Sequence, residues 1–221
     1  MPTVLRPDEP RVMASGLNRL AASSTMHCLS GCAIGEISGL IVGTAVGLST
    51  GWAITLAVGL SFVFGYTLSV LPLLRTGLAV STALSTVLAA DTLSIAIMEI
   101  VDNTVVAVIP GAMGSGLLNP VFWVSMAVAL SAAFVAAYPV NRHLLKRGKG
   151  HALMHQFHQD GGEAVTRGWR QLIPDLRTST LAAAILAFLS GGFTVALAEE
   201  LSGPGDGGGH GLAIVLDRSE V

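Results

Sequence analysis

The sequence predicts an all-α membrane protein, a polytopic bundle of transmembrane helices. Charged residues make up 12% of the 221 residues and hydrophobic residues 52%, whereas an ordinary soluble domain carries about 25% charged residues. The mean hydropathy is +0.68. The apolar residues are gathered into long runs, and a helix needs roughly 20 apolar residues to cross the hydrocarbon core of a bilayer. The lipid bilayer is therefore the first partner that we expect.

Five apolar runs are long enough, or nearly long enough, to cross the membrane. In chain order they are residues 32–50, 52–74, 80–110, 121–140 and 181–198. Glycines and Glu36 lower the hydropathy of the first run. The third run is long enough to cross the membrane at a tilt, and the fifth run is short. Five spans are predicted, with four as the alternative if the last run lies on the membrane surface.

The positive charges predict the orientation of these spans. Residues 1–22 contain prolines and acidic residues and lack an apolar core, so they do not form a secretory signal. With a cytoplasmic N-terminus, five spans place every Lys and Arg except Arg218 on the cytoplasmic side. Because Lys and Arg accumulate in cytoplasmic loops, we expect a multi-pass protein of the inner (cytoplasmic) membrane. The net charge of −2 argues against a nucleic-acid partner.

The chain divides into five segments on this basis. They are a cytoplasmic N-terminal segment (1–25), a four-helix transmembrane core (26–141), a basic, His-rich amphipathic cytoplasmic segment (142–178), a fifth transmembrane helix (179–200) and a Gly-rich flexible tail (201–221). The turn around Gly51 is so short that the first two helices form an antiparallel hairpin. The tail is typical of a flexible linker.

A ladder of glycines marks the first span. Its members stand at four-residue spacing, which keeps them on one helical face: Gly31, Gly35, Gly39, Gly43, Gly47 and Gly51. Small residues let another helix approach closely in lipid. We expect this face to pack the first span against the third and to bring Glu36 and Cys32 close to Asp91. Packing against a second copy, or within a larger membrane complex, is the alternative.

The same helix carries a set of metal-binding side chains. His27, Cys28, Cys32 and Glu36 descend from its cytoplasmic mouth, with both thiols and the carboxyl group on one face. Sulfur and imidazole favour Cu(I) or Zn, so we expect a transition-metal site, with copper ahead of zinc. The alternative is that the cysteines are small packing residues on a Gly-rich face.

The third span carries three acids and an amide: Asp91, Glu99, Asp102 and Asn103. The acids share one helical face, and no Lys or Arg lies within the predicted spans to pair with them. Acids in such a place are protonated, hydrated or bound to a cation, which indicates a cation or proton path. The alternative is a broken third helix whose Asp102 and Asn103 lie in an outer vestibule.

A second group of candidate ligands follows the fourth span. His151, His155 and His158 have the spacing that puts three imidazoles on one face of a helix. We expect them to bind the same transition metal. The alternatives are solvated surface histidines, or a helix whose neighbouring Lys and Arg bind anionic lipid.

Three segments of the chain resemble a family of small bacterial integral membrane proteins known as domain of unknown function 4396. They are residues 26–36, residues 90–103, and the region from Pro139-Val-Asn-Arg to Gly148-Lys-Gly-His-Ala-Leu-Met-His155. The resemblance covers roughly residues 25–160. It implies a multi-pass bacterial membrane protein and brings no activity with it.

These observations favour a membrane protein that binds, and moves or handles, a transition-metal cation. Two other classes stay open: an accessory or assembly subunit that docks through the glycine face, and a haem or proton-relay enzyme subunit. No Ser-His-Asp or paired-carboxylate pattern occurs on an accessible loop, so no catalytic residue is assigned.

Overall fold

Five long α-helices and one short 3-10 turn form the described part of the chain. The computed structural model describes residues 9–75, 77–147, 172 and 177–202, without side chains for 9–14 and 90. The helices are α1 (Glu9–Val46), α2 (Thr50–Arg75), α3 (Val80–Val108), α4 (Pro120–Lys146) and α5 (Thr178–Ser202), and the turn is η1 (Ala112–Gly114). These residues contain no strand. The prediction of an all-α helical membrane bundle is confirmed.

The helices account for four or five membrane spans. Four of them, α1, α2, α4 and α5, are long and apolar enough to cross a bilayer. The third helix consists of two parts, Val80–Ala89 and Asp91–Val108, inclined at 49° to each other, and they add a fifth span if the bent pair crosses the membrane as one. The break falls immediately before Asp91, so the first acid of α3 begins the second part of that helix.

The bundle has two chemically different ends. One end, which we call the turn end, carries the α1–α2 turn at residues 47–49 and η1. The opposite end, which we call the basic end, carries every Lys and Arg of the described residues: Arg11, Arg19, Arg75, Arg142, Lys146, Arg147 and Arg177. Glu199 and Glu200 lie in the last turn of α5, at the turn end. This division is the one that the positive-inside rule requires of membrane helices.

Helix α1 is longer than the sequence predicted. It starts at Glu9, so the boundary expected at residue 25 falls inside a helix. Ala21 and Thr25 are fully buried, because α1 extends past the first apolar run and continues to pack on its neighbours. The Thr25 hydroxyl donates to the Ala21 carbonyl oxygen at 2.8 Å, which satisfies this polar group inside the helix.

The glycine face of α1 contacts α2 rather than α3. Going along α1, Gly31, Gly35, Gly39 and Gly43 lie against Gly65, Ser61, Ala57 and Ala53. A Cβ atom at any of the first three would overlap the α2 backbone. Both helices carry small residues at four-residue spacing, and the short turn between them aligns these two faces. The expected packing of this face on the third span is therefore wrong.

The last two members of the ladder have other surroundings. Gly47 ends α1 with φ of +73°, in the left-handed region that suits glycine. A Cβ atom at Gly47 or Gly51 would meet nothing within 4 Å. The packing face of α1 thus stops at Gly43.

Candidate functional site

Helices α1 and α3 run parallel and place their polar side chains side by side. Cys28 lies beside Asp91, and Cys32 lies beside Glu99. One turn further along α1, Glu36 lies beside Asp102. We expected Glu36 close to Asp91, and this was wrong: α1 extends further towards the basic end than its apolar run, and Glu36 lies beside Asp102 instead.

Three carboxyl groups come together in the half of the bundle nearer the turn end. Glu36 is half-buried, while Glu99 and Asp102 are only 5% and 6% exposed. Four of their oxygens are enclosed without a hydrogen-bond partner among the described residues: Glu36 Oε2, both carboxyl oxygens of Glu99, and Asp102 Oδ1. Buried polar groups are normally satisfied, so these oxygens indicate a ligand or water in the working protein. We call Glu36, Glu99 and Asp102 the acid cluster.

The Ser61 hydroxyl beside Glu99 is engaged by main-chain carbonyl groups. Ser61 of α2 lies beside the Glu99 carboxyl group, but its Oγ donates to the carbonyl oxygens of Cys32, at 3.1 Å, and Ala57, at 3.0 Å. Asn103 of α3 likewise uses its Nδ2 to donate to the Glu99 main-chain carbonyl oxygen, at 2.9 Å. The local polar groups therefore stabilise backbone rather than the carboxyl groups.

A cavity of about 160 Å³ connects the acid cluster with the turn end. At one side it is lined by Glu36, Glu99, Asp102 and Asn103, and at the other by Thr50 at the start of α2 and by Ala112 and Met113 of η1. The described residues of its lining include no Lys or Arg. A space of this size holds several water molecules. Among the described residues that line the cavity, the charged groups are the carboxyl groups of the acid cluster.

Two thiols continue the line of polar side chains towards the basic end. Cys28 and Cys32 are free cysteines and are 0% and 2% exposed. The Cys28 Sγ lies 3.8 Å from the Ser69 Oγ of α2, and Ser94 of α3 lies beside the same thiol. The sequence placed these thiols at the cytoplasmic mouth; they lie inside the bundle instead, because α1 continues well beyond them.

The α1 segment next to the thiols is held by hydrogen bonds to α4 and α5. Asn141 Nδ2 of α4 donates to Thr25 Oγ1 at 2.9 Å, and the hydroxyls of Ser23 and Thr178 lie 2.6 Å apart. His27 is 7% exposed, and its Nδ1 lies 2.8 Å from the Ser23 carbonyl oxygen. His27 therefore lies in a closed, polar layer between the thiols and the basic end.

The described residues do not form a preassembled metal site. No group of three or more His, Cys, Asp or Glu side chains in this part of the chain is arranged to hold a metal ion. Cys28, Cys32 and Glu36 are instead distributed along one helix, since a spacing of four residues separates them by about 6 Å of rise, and His27 directly precedes Cys28. His151, His155 and His158 lie outside the described residues.

Two methionines line the cavity and were not selected from the sequence. Met126 of α4 is buried, and Met113 of η1 is half exposed; both line the cavity beside the acid cluster. A further methionine, Met98 of α3, belongs to the same buried group of side chains as Cys28 and Cys32. A methionine in an apolar run gives no sequence signal, because it usually fills space in a core.

Comparison with known proteins gives one match. The family described as Domain of unknown function (DUF4396) matches residues 18–150. That range includes most of α1 and all of α2, α3 and α4, and hence the acid cluster and both thiols. No curated protein and no solved structure matches the chain.

Proposed function

The chain belongs to the family described as Domain of unknown function (DUF4396), and from the α1–α3 site we propose that it binds a cation and conducts it through a membrane. In this proposal the acid cluster is the first binding station, reached through the cavity from the turn end. The two thiols with Asp91 are the second station. By the positive-inside rule the basic end faces the cytoplasm, which makes this a protein of the inner membrane.

The enclosed carboxyl oxygens without partners are the observation that carries the proposal. A carboxyl group in the membrane interior is costly unless it is paired, protonated or bound to a cation. Every Lys and Arg of the described residues lies at the basic end, and the cavity lining holds none. A cation, rather than a protein side chain, is therefore the partner that this cluster is suited to receive.

The arrangement suits passage better than permanent binding. Glu36 and Asp102 lie at the cavity, Glu99 follows beside Cys32, and Cys28 with Asp91 lies one turn beyond. The first station offers three carboxyl groups and the second offers one carboxyl group and two thiols, and neither forms a complete metal site among the described residues. Conduction requires sites that bind strongly enough to admit an ion and weakly enough to release it. A series of incomplete sites fulfils that requirement.

The sulfur atoms favour a transition metal as the cargo, with copper ahead of zinc. Cys28 and Cys32 supply thiols, and the thioethers of Met113 and Met126 flank the cavity. Soft sulfur ligands select Cu(I) over hard cations such as Mg²⁺. In the full proposal, His151, His155 and His158 receive or sense the ion on the cytoplasmic side.

A proton is the second candidate for the cargo. Carboxyl groups and thiols exchange protons, and the described residues hold no ready-made metal site, which favours a proton relay. Docking of an accessory subunit through the glycine face has lost its basis, because α2 fills that face.

Transport by the purified full chain in liposomes tests the proposal and separates the two cargoes. We expect uptake of Cu(I), measured by elemental analysis of the vesicles, to be lost in Glu99→Gln and in Cys28→Ser/Cys32→Ser. A matched control, Glu199→Gln, removes a carboxylate from the turn end outside the cavity and should keep uptake. Proton flux without metal uptake would assign the proton relay. The absence of both fluxes would refute the proposal.

A further inference from the structure

A second polar site lies at the basic end, away from the acid cluster. Six residues of α1 and α4 line a cavity of about 480 Å³: Asn18, Tyr138, Pro139, Arg142, His143 and Lys146. We call it the basic pocket. The described residues of its lining include an Arg, a Lys and a His but no Asp or Glu. The proposed cation path has no use for such a site, because its charges repel a cation.

One of the cations in the basic pocket is held in place. Asn18 of α1 accepts a hydrogen bond from Arg142 Nε at 2.7 Å, and this bond fixes the guanidinium group across the α1–α4 contact. It occupies only one of the five N–H donors of the group. A planar guanidinium held in this way is suited to a phosphate, to which it can donate two parallel hydrogen bonds.

The surface beside the basic pocket changes from polar to apolar along one face of α4. Towards the middle of the membrane, the same face carries Val135, which is 72% exposed, and Val128, which is 49% exposed. Phe134 and Tyr138 stack between the two zones, with ring centroids 6.2 Å apart. Tyrosine favours the level of the lipid headgroups, where one end is apolar and the other polar. The face therefore offers cations at headgroup depth and an apolar stripe at acyl-chain depth.

We propose that the basic pocket binds the headgroup of an anionic phospholipid, whose acyl chains lie along the exposed stripe of α4. The shared chemistry is a phosphate anion, but the stripe distinguishes a lipid from a free phosphate. Basic pockets between transmembrane helices on the cytoplasmic side are suited to such headgroups. The bound lipid would join α1 to α4 at the end of the bundle opposite the cavity. This inference is independent of the proposed cation transport.

Lipid titration of the detergent-purified full chain tests the inference. Native mass spectrometry measures lipid binding to the protein. We expect phosphatidylglycerol to bind more tightly than phosphatidylcholine. Taking about 1 kcal/mol for each Lys or Arg that contacts the headgroup, Arg142→Gln/Lys146→Gln should weaken phosphatidylglycerol binding about thirtyfold. Arg19→Gln/Arg147→Gln removes the same charge from the same end outside the pocket and should retain tight binding.

Two further arms keep the test decisive. Arg142→Lys/Lys146→Arg conserves charge, so it should elute as a folded protein and prefer phosphatidylglycerol over phosphatidylcholine, even if the neutral variant fails to fold. Inorganic phosphate alone should neither bind at comparable concentration nor displace the lipid. The inference would be overturned if Arg142→Gln/Lys146→Gln and Arg19→Gln/Arg147→Gln lost phosphatidylglycerol binding equally. Equal affinity of the protein for the two lipids, or displacement of the bound lipid by inorganic phosphate, would also overturn it.

Discussion

Gly35 of α1 and Ser61 of α2 are in backbone contact, and the space for a Cβ on the glycine is filled by the main chain of the serine. Ser61 also donates its hydroxyl to the Cys32 carbonyl oxygen at 3.1 Å. The contact thus fixes the part of α1 that carries Glu36 and both thiols. In lipid, where apolar burial does not drive helices together, this close packing is a main source of association.

Gly35→Ala should therefore destabilise the protein. The added methyl group forces α1 away from α2, and overpacking of this kind lowers the free energy of unfolding by about 1–3 kcal/mol. Gly59→Ala is the matched control, since Gly59 lies on an exposed face of α2 where a Cβ meets nothing within 4 Å. Thermal unfolding in detergent measures both variants. Equal melting temperatures for the two would contradict the assigned role of the glycine face.

Neutralising the acid cluster should stabilise the fold while it removes function. Glu99 has two enclosed oxygens without a partner among the described residues, and a neutral amide of the same shape is less costly to bury. We expect Glu99→Gln to raise the free energy of unfolding by about 1–2 kcal/mol. Glu199→Gln, at an exposed position of α5, should leave it unchanged. A less stable Glu99→Gln protein would show that the carboxyl group has a structural rather than a ligand-binding role.

Hydropathy predicted the helices of this bundle well, because membrane insertion depends on the local sequence. The run at residues 52–74 became α2 (Thr50–Arg75), and that at residues 121–140 became α4 (Pro120–Lys146). The start of α1 at Glu9 was missed, since the polar side chains before Cys32 interrupt the apolar pattern. They are tolerated because neighbours satisfy them, as Asn141 does for Thr25.

The composition of the candidate site was also predictable, but its pairing was not. Helical periodicity placed Glu99 and Asp102 on one face, and the structure puts that face against α1. Periodicity does not state which helix lies opposite, nor how two helices are aligned along their axes. The pairing of Glu36 with Asp102 and of Cys28 with Asp91 depends on that alignment. The contribution of Met126 to the cavity likewise depends on contacts between distant parts of the chain.

The two cysteines should react slowly with thiol reagents in the folded protein. Cys28 and Cys32 are almost completely enclosed, so alkylation requires a local opening of the bundle. N-ethylmaleimide should modify both only slowly in mild detergent and rapidly after unfolding in dodecyl sulfate, as followed by intact-protein mass. Thr50→Cys, at an exposed position that lines the cavity, should react rapidly in both conditions. Rapid modification of the native chain would place the thiols at an open mouth.

Thiol labelling in cells tests the orientation. In a Cys28→Ser/Cys32→Ser background, Thr50→Cys marks the turn end and Lys146→Cys marks the basic end. The positive-inside rule places the basic end in the cytoplasm. A membrane-impermeant maleimide should therefore reach Thr50→Cys in cells with a permeabilised outer envelope, and Lys146→Cys only after the inner membrane is lysed. The reverse pattern would invert the topology and the direction from which the cavity is filled.

The hydrogen bond between Asn141 and Thr25 should contribute a modest, measurable coupling between α4 and α1. Both residues are buried, at 3% and 0% exposure, and the Nδ2–Oγ1 distance is 2.9 Å. Hydrogen bonds between membrane helices contribute about 0.6 kcal/mol on average. A double-mutant cycle with Asn141→Ala and Thr25→Val, measured by unfolding in detergent, should give a coupling energy of that order. Ser131 is exposed on α4, and its hydroxyl donates to the Ala127 carbonyl oxygen within the same helix. A matched cycle with Asn141→Ala and Ser131→Ala should therefore give no coupling energy. If the first cycle is also additive, α1 is held at this level by packing alone.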